Sequence, residues 1–226
     1  MYKKLLLWIS ISFIFLYVNT ASAEFPNVKK LISGVQSATG VSMSDLASSK
    51  TSSINTYLAS TRELSLSLEK AAEAFGVKNE VLEKLAVVKS LKEGNINDKE
   101  LTKARKASEE AHEIIKQKMA EAKVPSIESK KLMAESIVHL VSGIQKEREL
   151  VGSVQNLSSQ AQGAVSTASP MEIMKVKGIA STALTLVKAI PMDLKLTKDI
   201  LSSYVEYAKA NNIEIPGNAA GLLNGE

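Results

Sequence analysis

Cysteine is missing from the 226-residue sequence. Without it the chain has no disulfide, no thiolate zinc site and no cysteine nucleophile, and no cysteine can carry a lipid at a processed N-terminus. A chain of about 200 residues can build a stable core without such cross-links. We therefore expect a fold that relies on apolar packing alone.

Aromatic residues are scarce, at 4% of the sequence. Half of them lie in the first twenty residues, including the only tryptophan, Trp8. The rest of the chain has too few rings for the stacking surfaces that bind single-stranded nucleic acids. The formal net charge of +4 falls to +2 when Lys3 and Lys4 are removed with the N-terminal segment, which has no acidic residue. We expect no nucleic-acid partner.

The sequence motifs that carry catalysis are absent as well. There is no G-x-S-x-G elbow, no phosphate-binding glycine loop and no dinucleotide fingerprint. Serine is abundant, but it occurs in helical patterns without a nearby histidine to activate it. The sequence predicts no enzyme, no catalytic residue and no cofactor.

The two histidines are the remaining candidates for metal chemistry. Glu109 and His112 have the Glu-x-x-His spacing found in di-iron helical bundles, which places both side chains on one helix face. Glu135 and His139 lie four residues apart on the next long helix, which does not match that motif. We expect surface ion pairs and a partly buried His139, and no metal site.

The N-terminus has the three parts of a secretory signal peptide. Lys3 and Lys4 are positively charged, residues 5–18 are an apolar run, and residues 21–23 read Ala-Ser-Ala, a cleavage signal. An uncleaved anchor helix needs about 20 apolar residues, more than this run supplies. The sequence therefore predicts cleavage after Ala23 and a periplasmic or secreted protein.

Apolar residues in the rest of the chain recur with the period of an α-helix and almost never alternate as in a strand. Prolines and glycines fall where helices would start or stop. The sequence predicts an all-α fold, an elongated antiparallel bundle with long coiled-coil-like helices. One domain spans 24–212, followed by a flexible C-terminal tail, 213–226. The predicted helices span 27–39, 43–75, 80–93, 98–123, 126–167, 170–191 and 193–211.

Local signals support several of these boundaries. Ser169, Pro170 and Glu172 combine an N-cap, a proline at the first helical position and a capping-box glutamate. Pro191 is expected to end or kink that helix, and Asp193 to cap the last one. In the helix over 43–75, serines and threonines crowd the first half, which we expect to be less stable than the leucine-rich second half.

Residues 178–192 form the most apolar stretch outside the N-terminus. On a helix, Lys177, Ser181, Thr185 and Lys188 form one narrow polar stripe, and the rest, including Leu184, is apolar. This pattern predicts a core helix with one edge in water. Two alternatives are a segment over 171–192 that inserts into lipid and a partner-binding face.

These observations lead to two hypotheses of function. The first is an exported helical-bundle protein that acts by binding or scaffolding, with another envelope or extracellular protein as its partner. The second is a membrane-active protein, pore-forming or lipid-interacting, that uses the apolar segment 171–192.

Overall fold

The computed structural model describes residues 41–122, 124–166 and 168–224. These residues form an all-α bundle, as predicted, and none of them lies in a strand. The predicted signal peptide (1–23) and the predicted helix over 27–39 lie outside the described residues. A short 3₁₀ turn covers Glu93–Asn95. The α-helices are α1 (Met43–Ala74), α2 (Lys78–Lys89), α3 (Asp98–Glu121), α4 (Ile127–Val165), α5 (Pro170–Ala210) and α6 (Ala219–Asn224).

Helix α1 begins at a capping box. The backbone N–H of Asp45 donates to the Ser42 hydroxyl, and the backbone N–H of Ser42 donates to the Asp45 carboxylate. Gly76 follows its end with a φ of 72°, a left-handed conformation that glycine adopts without strain. The helix therefore begins and ends within a residue of its predicted limits. Its predicted apolar seam is buried at Ile54, Tyr57, Leu64, Leu68 and Ala71.

Helices α2 and α3 form a hairpin that packs against α1. The predicted inward residues Val81, Leu85 and Val88 of α2 are buried, but the helix ends at Lys89 instead of Glu93. The N-cap of α3 is Asn97, whose side chain accepts the N–H of Glu100 at 3.1 Å. The predicted cap, Asp98, is instead the first helical residue.

Helices α4 and α5 contain 39 and 41 residues, which corresponds to lengths of about 60 Å. The capping box of Ser169 and Glu172 is present at the start of α5, as predicted. Of the two outcomes predicted for Pro191, an end or a kink of the helix, the end is wrong, because α5 continues to Ala210. Pro191 removes one backbone hydrogen bond, and the burial of Ile190 and Leu194 on either side holds the helix in place.

The C-terminal segment packs against the bundle. Ile213, Ala219 and Leu222 are buried in the same core as α1 and α4. This burial differs from the loose tail that the glycine content predicts. The apolar side chains spaced along the segment anchor it between its glycines.

The helices enclose two separate cores. The main core contains residues from all six helices. The small core lies where only α1, α4 and α5 pack together, and no described residue of α2, α3 or α6 belongs to it. We call this part of the molecule the narrow end and the remainder the wide part. The buried residues of the small core are Leu46, Leu157, Ala161, Val176, Ile179 and Ala183.

Candidate functional site

The structure does not bring the two glutamate–histidine pairs together. His112 is buried against Tyr204, with ring centroids 5.6 Å apart, whereas Glu109, one turn earlier on α3, is exposed to solvent. Burial lowers the pKa of His112, which favours a neutral ring. In the parts of the chain that the structure describes, no three acidic or histidine side chains are grouped as metal ligands.

His139 takes part in an ion-pair network between α1 and α4. A hydrogen bond of 2.8 Å joins His139 Nδ1 to Glu63 Oε2, and Lys146 Nζ donates to Glu63 Oε1 at 3.0 Å. Burial alone would raise the pKa of Glu63, but the hydrogen bonds from His139 and Lys146 outweigh it and hold the pKa low. Glu135 instead pairs with Lys70 at 2.7 Å. These contacts hold α1 and α4 together. Both carboxylate oxygens of Glu63 have hydrogen-bond partners, so Glu63 is not free to bind a metal.

A buried polar cluster crosses the middle of the bundle around Asp193. Tyr57 OH donates to Asp193 Oδ2 at 2.7 Å, and Arg105 Nε donates to Asp193 Oδ1 at 2.6 Å. Burial raises the pKa of Asp193, and Arg105 and Tyr57 oppose that rise. Both carboxylate oxygens are bonded, so Asp193 ties α5 to α1 and α3.

Glu147 lies beside this cluster and lacks such partners. Its side chain is buried, and Oε2 has no hydrogen-bond partner among the described residues. Burial and the nearby charge of Asp193 raise the pKa of Glu147 well above its ordinary value, with partial opposition from the Ser60 hydroxyl. A buried carboxyl with an oxygen that lacks a hydrogen-bond partner costs stability.

Sequence reasoning missed this cluster, although two signals for it were present. Glu147 follows Leu140 and Ile144 at helical spacing, which puts a charged residue on the apolar side of α4. Asp193 follows Leu186 and Ile190 in the same way on α5. The prediction that Asp193 caps a helix is therefore wrong, because its side chain points into the core and not at a helix start.

The narrow end has an unusual surface. Between Glu149 and Glu172 the sequence has no charged residue, and the only charged residues in the range 43–61 are Asp45 and Lys50. The two acidic residues of this end, Asp45 and Glu172, are both held in capping boxes. Hydrogen bonds from Ser169 lower the pKa of Glu172, which keeps it ionised at the start of the helix. On α1 and α4 at this end, most of the exposed side chains are serine, threonine and asparagine.

An open groove of about 880 Å³ runs between α1 and α4 where the narrow end meets the wide part. We call it the α1–α4 groove. Small and uncharged side chains form most of it, and one lysine and one glutamate stand on its α4 side. Such a lining offers hydrogen-bonding hydroxyls close to the backbone at little cost in side-chain entropy. Its lining residues are Ala47, Ser48, Thr51, Ser52, Asn55, Thr56, Ala59, Lys146 and Glu149.

The outer side of α5 at the narrow end carries apolar and basic side chains together. Met171 is 84% exposed and Met174 81% exposed, and Leu184 is also exposed. We call this set the α5 ridge, and its members are Met171, Met174, Lys175, Lys177, Leu184 and Lys188. The predicted polar stripe is confirmed as solvent-facing at Lys177, Ser181 and Lys188.

The sequence predicted Leu184 to lie in the core, and this prediction is wrong. Leu184 is 38% exposed, while Val176, Ile179, Ala183, Leu186 and Ile190 are buried. The stripe is wider than expected because, among the helices that the structure describes, only α1 and α4 cover α5 at this end. Among the described residues, none of the helices combines the length and apolar character that a bilayer crossing requires.

Comparisons with models of known protein families, with curated proteins and with solved structures give no match to this chain.

Proposed function

We propose that this chain is an exported helical-bundle protein that acts by binding or scaffolding another envelope or extracellular protein, and not by catalysis. The α1–α4 groove is the observation that carries the proposal. It is open, lined by hydroxyls and small side chains, and flanked by Glu149, whose charge can orient a partner; Lys146, also on this side, is held by Glu63. A helix or an extended segment of a protein fits such a groove, because small side chains let two backbones approach closely.

The main core supports this role. The wide part is fastened by the buried Tyr57–Asp193–Arg105 bonds and by the Glu63 network. One wall of the groove, α1, belongs to both networks. A groove with rigid walls binds with less loss of conformational freedom than a flexible one.

Site-specific cross-linking tests the groove. A photo-reactive side chain at Ser52 should form an adduct with a protein in cells that make this chain, whereas the same group at Thr102, an exposed position on α3, should not. The double substitution Ser48→Arg with Ser52→Arg should abolish the adduct, and Thr102→Arg should leave it. Adducts of equal yield at both positions would contradict a specific groove. N-terminal sequencing of the same material tests export, with Glu24 as the expected first residue.

The second candidate function is membrane activity through release of residues 171–192 into lipid. The exposure of Met171 and Met174 favours it. This function requires Val176, Ile179 and Ala183 to leave the small core, in which six of the described residues are buried. Leakage of dye from vesicles is its measurement. Absence of leakage across acid and neutral pH would eliminate it.

A further inference from the structure

We propose that the α5 ridge docks on an anionic lipid surface while the bundle stays folded. The proposal rests on the binding function above and adds a second partner at a second surface. Three helices enclose the small core, so the outer side of α5 points away from the α1–α4 groove. The chain could then bind a membrane surface and a protein at the same time.

Charge is the first argument. Lys175, Lys177 and Lys188 are exposed, and none of them forms an ion pair with a described residue. No acidic residue occurs between Glu172 and Asp193, and Asp193 is buried against Arg105. Glu172 borders the start of the ridge and its charge acts on Lys175, but the ridge itself has three cations and no acidic residue, so it is complementary to anionic headgroups.

The placement of apolar side chains is the second argument. Met171 and Met174 are exposed at the start of α5, next to Lys175 and Lys177 in the sequence. Apolar side chains flanked by lysines are typical of helices that lie at a membrane interface, because the lysine stems reach headgroups while the apolar groups enter the acyl boundary. The ridge is also convex, being the outer side of one helix. A convex strip suits a deformable lipid surface better than a protein, which would have to supply a matching groove.

Vesicle flotation tests the proposal. The protein used is the processed form, with Glu24 as its expected first residue. We expect binding to vesicles containing phosphatidylglycerol, weak binding to pure phosphatidylcholine, and loss of binding at high salt. Each lysine close to an anionic surface strengthens binding about fivefold, so Lys175→Gln, Lys177→Gln and Lys188→Gln together should weaken it roughly 100-fold. Met171→Gln with Met174→Gln should weaken it roughly tenfold.

A matched triple variant controls for net charge. Lys92→Gln, Lys99→Gln and Lys209→Gln remove the same charge from exposed positions of the wide part. This variant should bind vesicles within a few-fold of the unsubstituted protein. Every protein compared has the same N-terminus, so any contribution of residues 24–40 is the same in all of them. Equal loss of binding in the two triple variants would overturn the proposal, as would equal binding to neutral and anionic vesicles.

Because the chain has no cysteine, a single introduced cysteine can be labelled selectively, which provides a second measurement. A polarity-sensitive dye on Met174→Cys should shift to the blue on anionic vesicles, and the same dye on Lys99→Cys should not. Binding to vesicles without leakage of a dye enclosed in them distinguishes docking on the surface from insertion into the bilayer. If vesicles do not bind but polyglutamate does, with the same dependence on the three lysines, the ridge serves an acidic protein and the lipid proposal is wrong. Cross-linking at Ser52 is independent of these results, so the groove function can survive failure of the ridge.

Discussion

The wide part and the narrow end are built from the same long helices but are stabilised unequally. The main core contains leucine, isoleucine, methionine and tyrosine side chains from all six helices. The small core has six buried residues, of which two are alanines. Around the wide part, lysines and glutamates pair across helices, as in Lys84–Glu110 and Lys89–Glu69. No such pair of described residues crosses the narrow end.

This difference shows that helical continuity and stability are separate properties. Helices α1, α4 and α5 run unbroken through both regions, yet the buried area that holds them together shrinks toward the narrow end. Regions with few buried apolar contacts open at lower free energy than the rest of a protein. Both proposed binding surfaces include residues of the narrow end. The more stable wide part therefore supports the helices that carry these surfaces.

The largest effect is expected in the wide part, at Asp193. Asp193→Ala leaves Arg105 and the Tyr57 hydroxyl without their partner, and breaking a buried pair in this way costs about 3–5 kcal/mol. Urea titration measures the loss. Tyr57→Phe is the matched control, because it removes one hydrogen bond and keeps the ion pair, at a cost of about 1 kcal/mol. Equal losses would mean that Arg105 finds another partner.

Leucine-to-alanine substitution in each core sharpens the comparison. Leu68→Ala should lower the global free energy of unfolding by about 2–5 kcal/mol, because it opens a cavity in the main core. Leu157→Ala, equally buried in the small core, should chiefly increase hydrogen exchange of amides at the narrow end. If Leu157→Ala instead shifts the global transition as much as Leu68→Ala, the two regions unfold as one unit.

Glu147 makes the stability of the wide part depend on pH. The pKa of Glu147 is raised in the folded protein above its ordinary value of 4.5. The folded state therefore holds the proton more tightly, and stability falls as pH rises from about 4.5 through the folded-state pKa. Glu147→Gln, which cannot ionise, should gain stability over the unsubstituted protein as pH increases. Urea midpoints at pH 4 and pH 8 check this, and a pH-independent difference would contradict it.

The smallest effect is expected on the α5 ridge. Leu184→Ala should cost less than about 1 kcal/mol, because the side chain is 38% exposed and leaves no closed cavity. Thr185→Ala on the same stripe should change stability by less than about 0.5 kcal/mol. Thermal melts of the two variants suffice. A loss at Leu184 close to that of Leu68→Ala would place it in a core and narrow the ridge.

The sequence predicts the helices of the described region well, because local chemistry decides them. Ser42, Ser169 and Gly76 act within one turn of their own positions. Errors arise where a distant partner decides the outcome. Pro191 and Asp193 resemble a helix boundary locally, but Arg105, which lies 88 residues before Asp193, makes Asp193 a buried anchor.

The exposure of Leu184 was equally hidden from local patterns. A helix with one narrow polar stripe is typical of the centre of a bundle, but the number of neighbouring helices determines how wide the exposed side becomes. That number falls along α5 toward the narrow end. The ridge and the groove likewise exist because α2, α3 and α6 do not reach the small core. The spacing of residues within one helix does not reveal this.

Gly143 restricts how α1 and α4 can move. A Cβ atom at this glycine would lie 3.4 Å from both Glu63 Cβ and the Ser60 carbonyl oxygen, so the two helices touch there. Sliding α4 by one turn would bring His139 or Glu147 to this contact, where a long side chain would press on Glu63 and the backbone of α1. The contact therefore resists sliding of α4 along α1, whereas the small core leaves the narrow end freer to hinge open. A partner that moved the groove walls would therefore bend α1 and α4 apart more easily than it would shift one helix along the other.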